Sequence, residues 1–351
     1  MAVFAEGTPC WVDVQLPDIE AGKRFYGELF GWTFDPATGE ARIDGKRAAG
    51  LVPKRDGRMP TTWTVYLATA DAGVLAGRIK AAGGQMVMEP YPVGPYGVVA
   101  LAADPGGAVF GLRQGGERDD GIQTHMEPGS FCWMEVYTRE KDAVDTFYAA
   151  VFGYVAQDLA EGDLDYRIWS PPGSRPGDDS SFGGRAVITD AFPAEMPGHV
   201  LVYFAVADTD AACAATVEMG GRITNEPFDT PHGRIAVLTD NQGARFAVLA
   251  EPADGKRGRA ARKADAEEGA EEGDGAKGAT GASADAGTDA GTDGSKAGTD
   301  GGEEDDRTET AAESVTESAA EQAPGTTREA PAPAEPAKTA EKSAEKPDDM
   351  T

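Results

Sequence analysis

The chain is short of cysteine, of positive charge and of long apolar runs. Three cysteines, Cys10, Cys132 and Cys213, are spread over 351 residues. They are too few and too scattered for a disulfide framework, so reduced, buried thiols in a cytoplasmic protein are expected. Basic residues number 32 against 60 acidic ones, giving a formal net charge of −28. That balance argues against nucleic acid and anionic membrane surfaces as partners, because both attract basic patches. No apolar run is long enough to cross a bilayer, and Met1 to Gly7 shows no basic-then-apolar order of a secretory signal. Aromatic residues stop at Phe246. From about Glu251 onward the chain turns to Ala, Gly, Thr, Glu, Asp, Lys and Pro, with Ala-Gly-Thr-Asp at 286–289, 290–293 and 297–300. Such sequence has too little apolar surface to offset the entropy of ordering, so a disordered acidic tail is expected over 251–351. Its one basic run, Lys256 to Lys263, is read as a solvated linker. The rest, roughly 250 residues, suffices for two ordinary cores.

What is present is a duplication. Cys10-Trp11-Val12-Asp13-Val14 returns as Cys132-Trp133-Met134-Glu135-Val136, and Phe25-Tyr26…Phe30-Gly31-Trp32 as Phe147-Tyr148…Phe152-Gly153-Tyr154, both offset by 122 residues. Val65-Tyr66-Leu67-Ala68 parallels Val202-Tyr203-Phe204-Ala205. Asp104, Gly107 and Phe110 parallel Asp240, Gly243 and Phe246. A repeat of this length is a whole domain repeated, and each copy can be read against the other.

Residues 10–16 alternate, with Trp11, Asp13 and Gln15 on one face and Cys10, Val12 and Val14 on the other, as in a strand. Asp18 is placed to cap a helix whose apolar stripe is Ala21, Phe25, Leu29 and Phe30, with Gly31 ending it. Asp71 starts a second helix and Gly83-Gly84 stops it. Asp104-Pro105-Gly106-Gly107 is a turn signal. Four units of strand, helix and three strands are expected, over about 9–58, 61–114, 131–190 and 198–250. These form one module at 8–115, a linker at 116–129 and a second module at 130–250.

This pattern resembles the vicinal-oxygen-chelate superfamily of glyoxalases, bleomycin- and fosfomycin-resistance proteins and extradiol dioxygenases. The resemblance rests on the strand running into Pro17-Asp18, the Phe-Tyr…Phe-Gly-aromatic helix ends, and the Asp104 and Asp240 turns. It implies an α+β fold in which two βαβββ units per module form an open, cup-shaped barrel. Members of this fold are isomerases, lyases, dioxygenases and plain binding proteins. In the metal-dependent members a divalent ion sits in the cup. Carrying those ligand positions across gives Trp11 and Trp133 on the first strands, Gly111 and Ala247 on the last, and Thr62 and His199 at the start of the second units. Indole has no lone pair for a metal, and one imidazole does not hold a zinc ion. No metal or other cofactor is therefore expected.

The same positions suggest a ligand-binding set: Trp11, Asp13 and Trp63 in the first module, and Trp133, Glu135, Tyr137 and His199 in the second. The tryptophans either line an aromatic pocket or fill it as core. Glu135 and His199 form a candidate carboxylate–imidazole pair for proton transfer. Cys10 and Cys132 are expected to point away from the cups, His232 to sit in a turn and His125 to be solvated. The leading expectation is a small-molecule-binding protein lacking the usual metal-ligand set. The alternatives are a lyase, isomerase or hydroxylase-like enzyme working through His199 and Glu135, and an interaction protein acting through its acidic tail. The ligand and the oligomeric state have no signature in the sequence.

Overall fold

The computed structural model describes residues 4–117, 121–161, 164–177 and 179–252. The tail expected over 251–351, with its basic run, lies outside the described residues beyond Pro252. Strands and helices follow the expected order in all four units. Unit one is β1 (Pro9–Leu16), α1 (Ile19–Phe30), β2 (Thr33–Phe34), β3 (Glu40–Ile43) and β4 (Lys46–Pro53). Unit two is β5 (Trp63–Ala68), α2 (Ala72–Ala81), β6 (Gln85–Pro92), β7 (Gly97–Ala103) and β8 (Val109–Gly115). Unit three is β9 (Phe131–Thr138), α3 (Lys141–Phe152), β10 (Val155–Glu161), β11 (Leu164–Ser170) and β12 (Gly183–Val187). Unit four is β13 (His199–Ala205), α4 (Thr209–Glu218), β14 (Arg222–Thr230), β15 (Gly233–Thr239) and β16 (Arg245–Ala250).

Each module is one unclosed eight-stranded sheet, in the orders β2-β3-β4-β1-β5-β8-β7-β6 and β10-β11-β12-β9-β13-β16-β15-β14. The two units of a module join where β1 runs antiparallel to β5 and β9 antiparallel to β13. Each cup is thus built within a module. Among the described residues no helix is long and apolar enough to cross a membrane.

Local chemistry sets the helix ends. Asp18, Asp71 and Asp208 each accept a hydrogen bond from the backbone N–H three residues on, at 2.9 to 3.0 Å, which satisfies a donor the helix leaves open. Glu140 stands at the same place before α3 but makes no side-chain cap. Gly31 and Gly153 end α1 and α3 with φ near +70°, a left-handed conformation that glycine adopts without strain. The buried stripe of α1 is Gly22, Phe25, Tyr26 and Phe30, with Leu29 packed half-buried against the same core, so Tyr26 joins the expected stripe.

Tyr26 faces the other module. The helices lie on the side of each sheet away from its cup, and there the modules meet, α1 against α4 and α2 against α3. The Tyr26 hydroxyl donates to Asp240 Oδ2 at 2.8 Å. Phe30 packs on Phe204 at 4.9 Å between ring centroids, and Phe110 of module one packs on Phe147 and Tyr148 of module two. Gln242 closes the junction, accepting from the Asp18 N–H and donating to the Asp18 carbonyl, both at 2.8 Å. In the pseudo-symmetric place the Tyr148 hydroxyl is turned toward Asp104 without closing a bond of normal geometry. Burial pushes the Asp104 carboxyl up to about 6.

Candidate functional site

The first cup is packed solid. Trp11 and Asp13 rise from β1 on the cup face and are 6% and 8% exposed. The register pairs Trp11 with Tyr66 and Asp13 with Thr64 on β5. The Tyr66 hydroxyl approaches Asp13 Oδ1 at 3.4 Å, and the Arg113 guanidinium lies 4.8 Å from the centre of the Trp11 ring. Burial pushes the Asp13 carboxyl up to about 7, while Tyr66, Arg113 and Trp11 pull it back. A Cβ added at Gly50 would come within 3.0 Å of the Trp11 ring, and one at Gly111 within 2.2 Å of the Tyr66 ring. Here the tryptophan fills the cup as core.

Trp63 lines a groove as expected, but at the mouth of the second cup rather than in the first. Its β5 position pairs with Val14, not with Asp13, so it belongs to the helix side. Its ring N–H donates to the Tyr26 hydroxyl at 3.1 Å, and the ring packs on Phe204 at 4.8 Å. Trp63 is mainly part of the core between the modules, although it also borders the mouth of the second cup.

The second cup is more polar. Trp133, Glu135 and Tyr137 stand along β9, opposite Tyr203, Leu201 and His199 of β13. Tyr203 donates to Glu135 Oε2 at 2.6 Å, and Tyr137 and Tyr166 also direct their hydroxyls at that carboxylate. The Trp133 N–H donates to the Tyr166 oxygen at 2.8 Å. Burial raises the Glu135 carboxyl above its usual range against the pull of the three phenols. Burial, with the Glu135 charge beside them, keeps Tyr137, Tyr166 and Tyr203 well above the usual phenol range. The four aromatic side chains thus surround one half-buried carboxyl, which Tyr203 bonds directly.

His199 enters this cluster only from the side. Its ring stacks on Tyr137 at 4.9 Å with planes 5° apart, and Nδ1 lies 3.0 Å from the Pro197 carbonyl. A carbonyl only accepts, so Nδ1 carries the proton and Nε2 keeps its lone pair in the neutral ring. Burial pushes this imidazole below its usual range. Glu135, Tyr137 and His199 do converge in one cup, but Tyr137 stands between the expected carboxylate–imidazole pair. An open groove at the cup mouth is lined by His199, Leu201, Arg245, Pro193 and Met196, and across it by Thr62 and Trp63 of the first module.

Cys132 is a correction. The strand pairing shifts between Tyr203 and Phe204, which leaves Cys132 as an extra, bulged residue. Strict alternation fails there, and the thiol packs with Leu201, Tyr203 and Ala247 on the cup side. Burial pushes it far above the ordinary thiol range, so it is a poor nucleophile. All three cysteines are buried, and none is in a disulfide among the described residues. Cys10 sits at the matching irregularity, with Sγ donating to the Tyr66 carbonyl at 3.4 Å. His232 lies in the exposed turn between β14 and β15, and His125 is exposed.

The residues at the metal-ligand positions do not fit a metal. The Trp133 N–H is a donor already engaged by Tyr166. At Gly111 the Tyr66 ring occupies the space a ligand side chain would need, and Ala247 is fully buried with no donor atom. Glu135 is enclosed by hydroxyls rather than by other ligand types.

Comparison with known proteins places this architecture. The family model for the Glyoxalase/Bleomycin resistance protein/Dioxygenase superfamily matches residues 108–248. The "Putative glyoxylase CFP32" of Mycobacterium tuberculosis is 36% identical over 260 residues, spanning 70% of this chain and 95% of that protein. The chain belongs to this superfamily. The anthracycline biosynthesis protein DnrV of Streptomyces peucetius is 37% identical over 271 residues, covering 71% of this chain and 95% of DnrV. Among solved structures, homoprotocatechuate 2,3-dioxygenase from Arthrobacter globiformis shares the fold, with a TM-score of 0.50 at 13% identity over 70% of this chain and 80% of that one.

Sequence reasoning left Tyr166, Tyr203 and Arg245 out of the site. Tyr203 had a visible signal, because it repeats Tyr66 within the duplicated Val-Tyr segment. Arg245 had one in register, two residues before Ala247 and hence on the same strand face. Tyr166 lies on β11, where nothing in the first copy marks it.

Proposed function

We propose that this protein binds a small molecule in its second cup without using the metal centre of the metal-dependent members. The observation that supports this most is the set of side chains at the ligand positions, Trp11, Gly111, Trp133 and Ala247, none of which offers a lone pair to an ion. In their place stands an aromatic wall with a half-buried carboxyl, beside an open groove. The first cup, filled by Trp11, acts as support. The name of DnrV makes anthracyclines the first compounds to titrate. Equilibrium binding followed by tryptophan fluorescence, before and after exhaustive chelation, tests the reading. Saturable binding that is unchanged by chelation is the expected result. Tight stoichiometric zinc, nickel, manganese or iron in the purified protein, with binding lost on its removal, would overturn it.

A second reading, acid–base catalysis, is favoured by one observation. Burial raises the Glu135 carboxyl above its usual range, and Tyr203 bonds it with Tyr137 and Tyr166 beside it, a setting suited to moving a proton. Glu135→Gln keeps the shape of the cluster and removes the titrating group, and His199→Ala removes the neighbouring base. For any reaction found by screening, an unchanged rate in both variants sinks this reading.

A further inference from the structure

Arg245 is explained neither by the duplication nor by the aromatic packing. The matching residue of module one is Val109, which is 40% exposed and carries no charge. Arg245 begins β16 and shares the cup face with Ala247, which pairs with Tyr203. Among the described residues it forms no ion pair, and its Nε is buried with no hydrogen-bond partner. A guanidinium presents its donors as a rigid planar fork, and leaving such a donor buried without an acceptor is costly. The groups that surround it do not neutralise it. Tyr137 and Tyr203 are neutral phenols held by Glu135, and the nearby charge on β14 is Arg222, another cation. His199 is kept neutral by burial and by Arg245 itself. Glu195 borders the same groove but is exposed and makes no ion pair with Arg245. The rest of the groove is apolar, with Val200, Leu201, Met196, Pro197 and the edge of Trp63.

An unfilled cationic fork beside apolar and aromatic walls describes the ligand by complement. We propose that the second cup takes a molecule with a carboxylate on an apolar ring body, and that Arg245 receives the carboxylate as a bidentate pair. This rests on the reading of the cup as a binding site. A single planar fork matches a carboxylate, whereas a phosphate dianion would call for further donors such as lysines, and none lines the groove. The ring body would lie between Leu201, Met196 and the Trp63 edge. The carboxylate would pair with the terminal Nη groups, because the buried Nε is closed off from the groove.

The probes are 2-naphthoate and 2-naphthamide, which share a ring and differ in charge. Calorimetric titration measures both affinities, and the NMR signal of the Arg245 Nε–H reports where the acid binds. The wild-type protein should bind the acid at least about tenfold more tightly than the amide, as expected for a charge-assisted hydrogen-bonded pair. The Nε–H signal should move with the acid only. Arg245→Met should bring the two probes to within about twofold of each other, and Arg245→Lys, which keeps charge without the fork, should fall between. Equal binding of acid and amide by the wild-type protein overturns the carboxylate assignment alone and leaves the binding reading standing. Binding of neither probe overturns both. The wild-type comparison needs no variant to fold, so it decides the matter even if Arg245→Met is unstable.

Discussion

Asp13 and Glu135 are the same residue in two copies, and their surroundings have diverged. Both sit two positions after a tryptophan on a first strand and beside the tyrosine of the facing strand, Asp13 buried and Glu135 half-buried. Asp13 keeps a long contact with Tyr66, while Glu135 has gained Tyr137 and Tyr166. This difference makes Asp13 a burden at high pH. Its carboxyl is raised from 3.8 to about 7 in the fold. A raised acid holds its proton more tightly folded than unfolded, so its contribution to stability is complete below pH 3.8 and is lost as pH rises to about 7. The full loss is at most roughly 4 kcal/mol, from the shift alone. Asp13→Asn removes the titration and keeps the shape. In urea unfolding at pH 5 and pH 8, the stability advantage of the variant over the wild type should grow with pH. A constant difference between the two across that range would show that Asp13 is already ionised in the fold.

At the scale of elements, the strand alternation was legible and the labels of its faces were not. Period two puts Trp11, Asp13 and Gln15 together from the sequence alone, and the structure keeps Trp11 and Asp13 together in the cup. Trp63 and Cys132 were misplaced for two different physical reasons. Trp63 required the register of β1 against β5, which depends on tertiary pairing. Cys132 sits on a bulge, and an extra residue inverts the alternation around it. Gly111 shows the same dependence from the other direction. Its partner across the parallel pairing is Tyr66, whose ring lies over the glycine so closely that no Cβ fits. In the second copy Ala247 tolerates its methyl under Tyr203, so the first cup has closed further than the second. Gly111→Ala should expel the Tyr66 ring, break its approach to Asp13 and cost about 1–3 kcal/mol, in line with other overpacked cores. Thermal unfolding would register the drop, and far-ultraviolet dichroism should remain unchanged. A melting temperature equal to wild type would mean that Tyr66 does not occupy the place of the missing side chain.

For the whole molecule, the residues that made the duplication visible are mostly those that hold the two copies together. Tyr26 meets Asp240, Tyr148 turns toward Asp104, and Phe30, Phe110, Phe204 and Phe246 fill the space between the sheets. A repeated motif therefore marked the joint, while the proposed binding chemistry lies in residues such as Arg245 and Tyr166 that only one copy carries. The fold was legible because the repeated turns and helix ends have fixed spacing. The site was legible where it repeated or where a residue such as His199 fell on a ligand position of the family. This arrangement also leaves neither module self-sufficient. Phe204 and Phe246 are fully buried, in part by Phe30 and Trp32 of the other module, and would be laid open in a fragment. A contiguous aromatic surface of that kind is not left exposed by stable monomers. Residues 130–252 expressed alone should therefore aggregate or self-associate, and addition of residues 1–117 should restore a soluble one-to-one complex detectable by light scattering. Tyr26→Phe in the intact chain should cost about 1–3 kcal/mol, because the buried Trp63 N–H loses its acceptor while Asp240 keeps its bonds from the Gln242 and Ala244 amides. A monomeric, cooperatively melting fragment of residues 130–252 would show that the second module carries a complete core of its own, and that the aromatic joint is incidental to its folding.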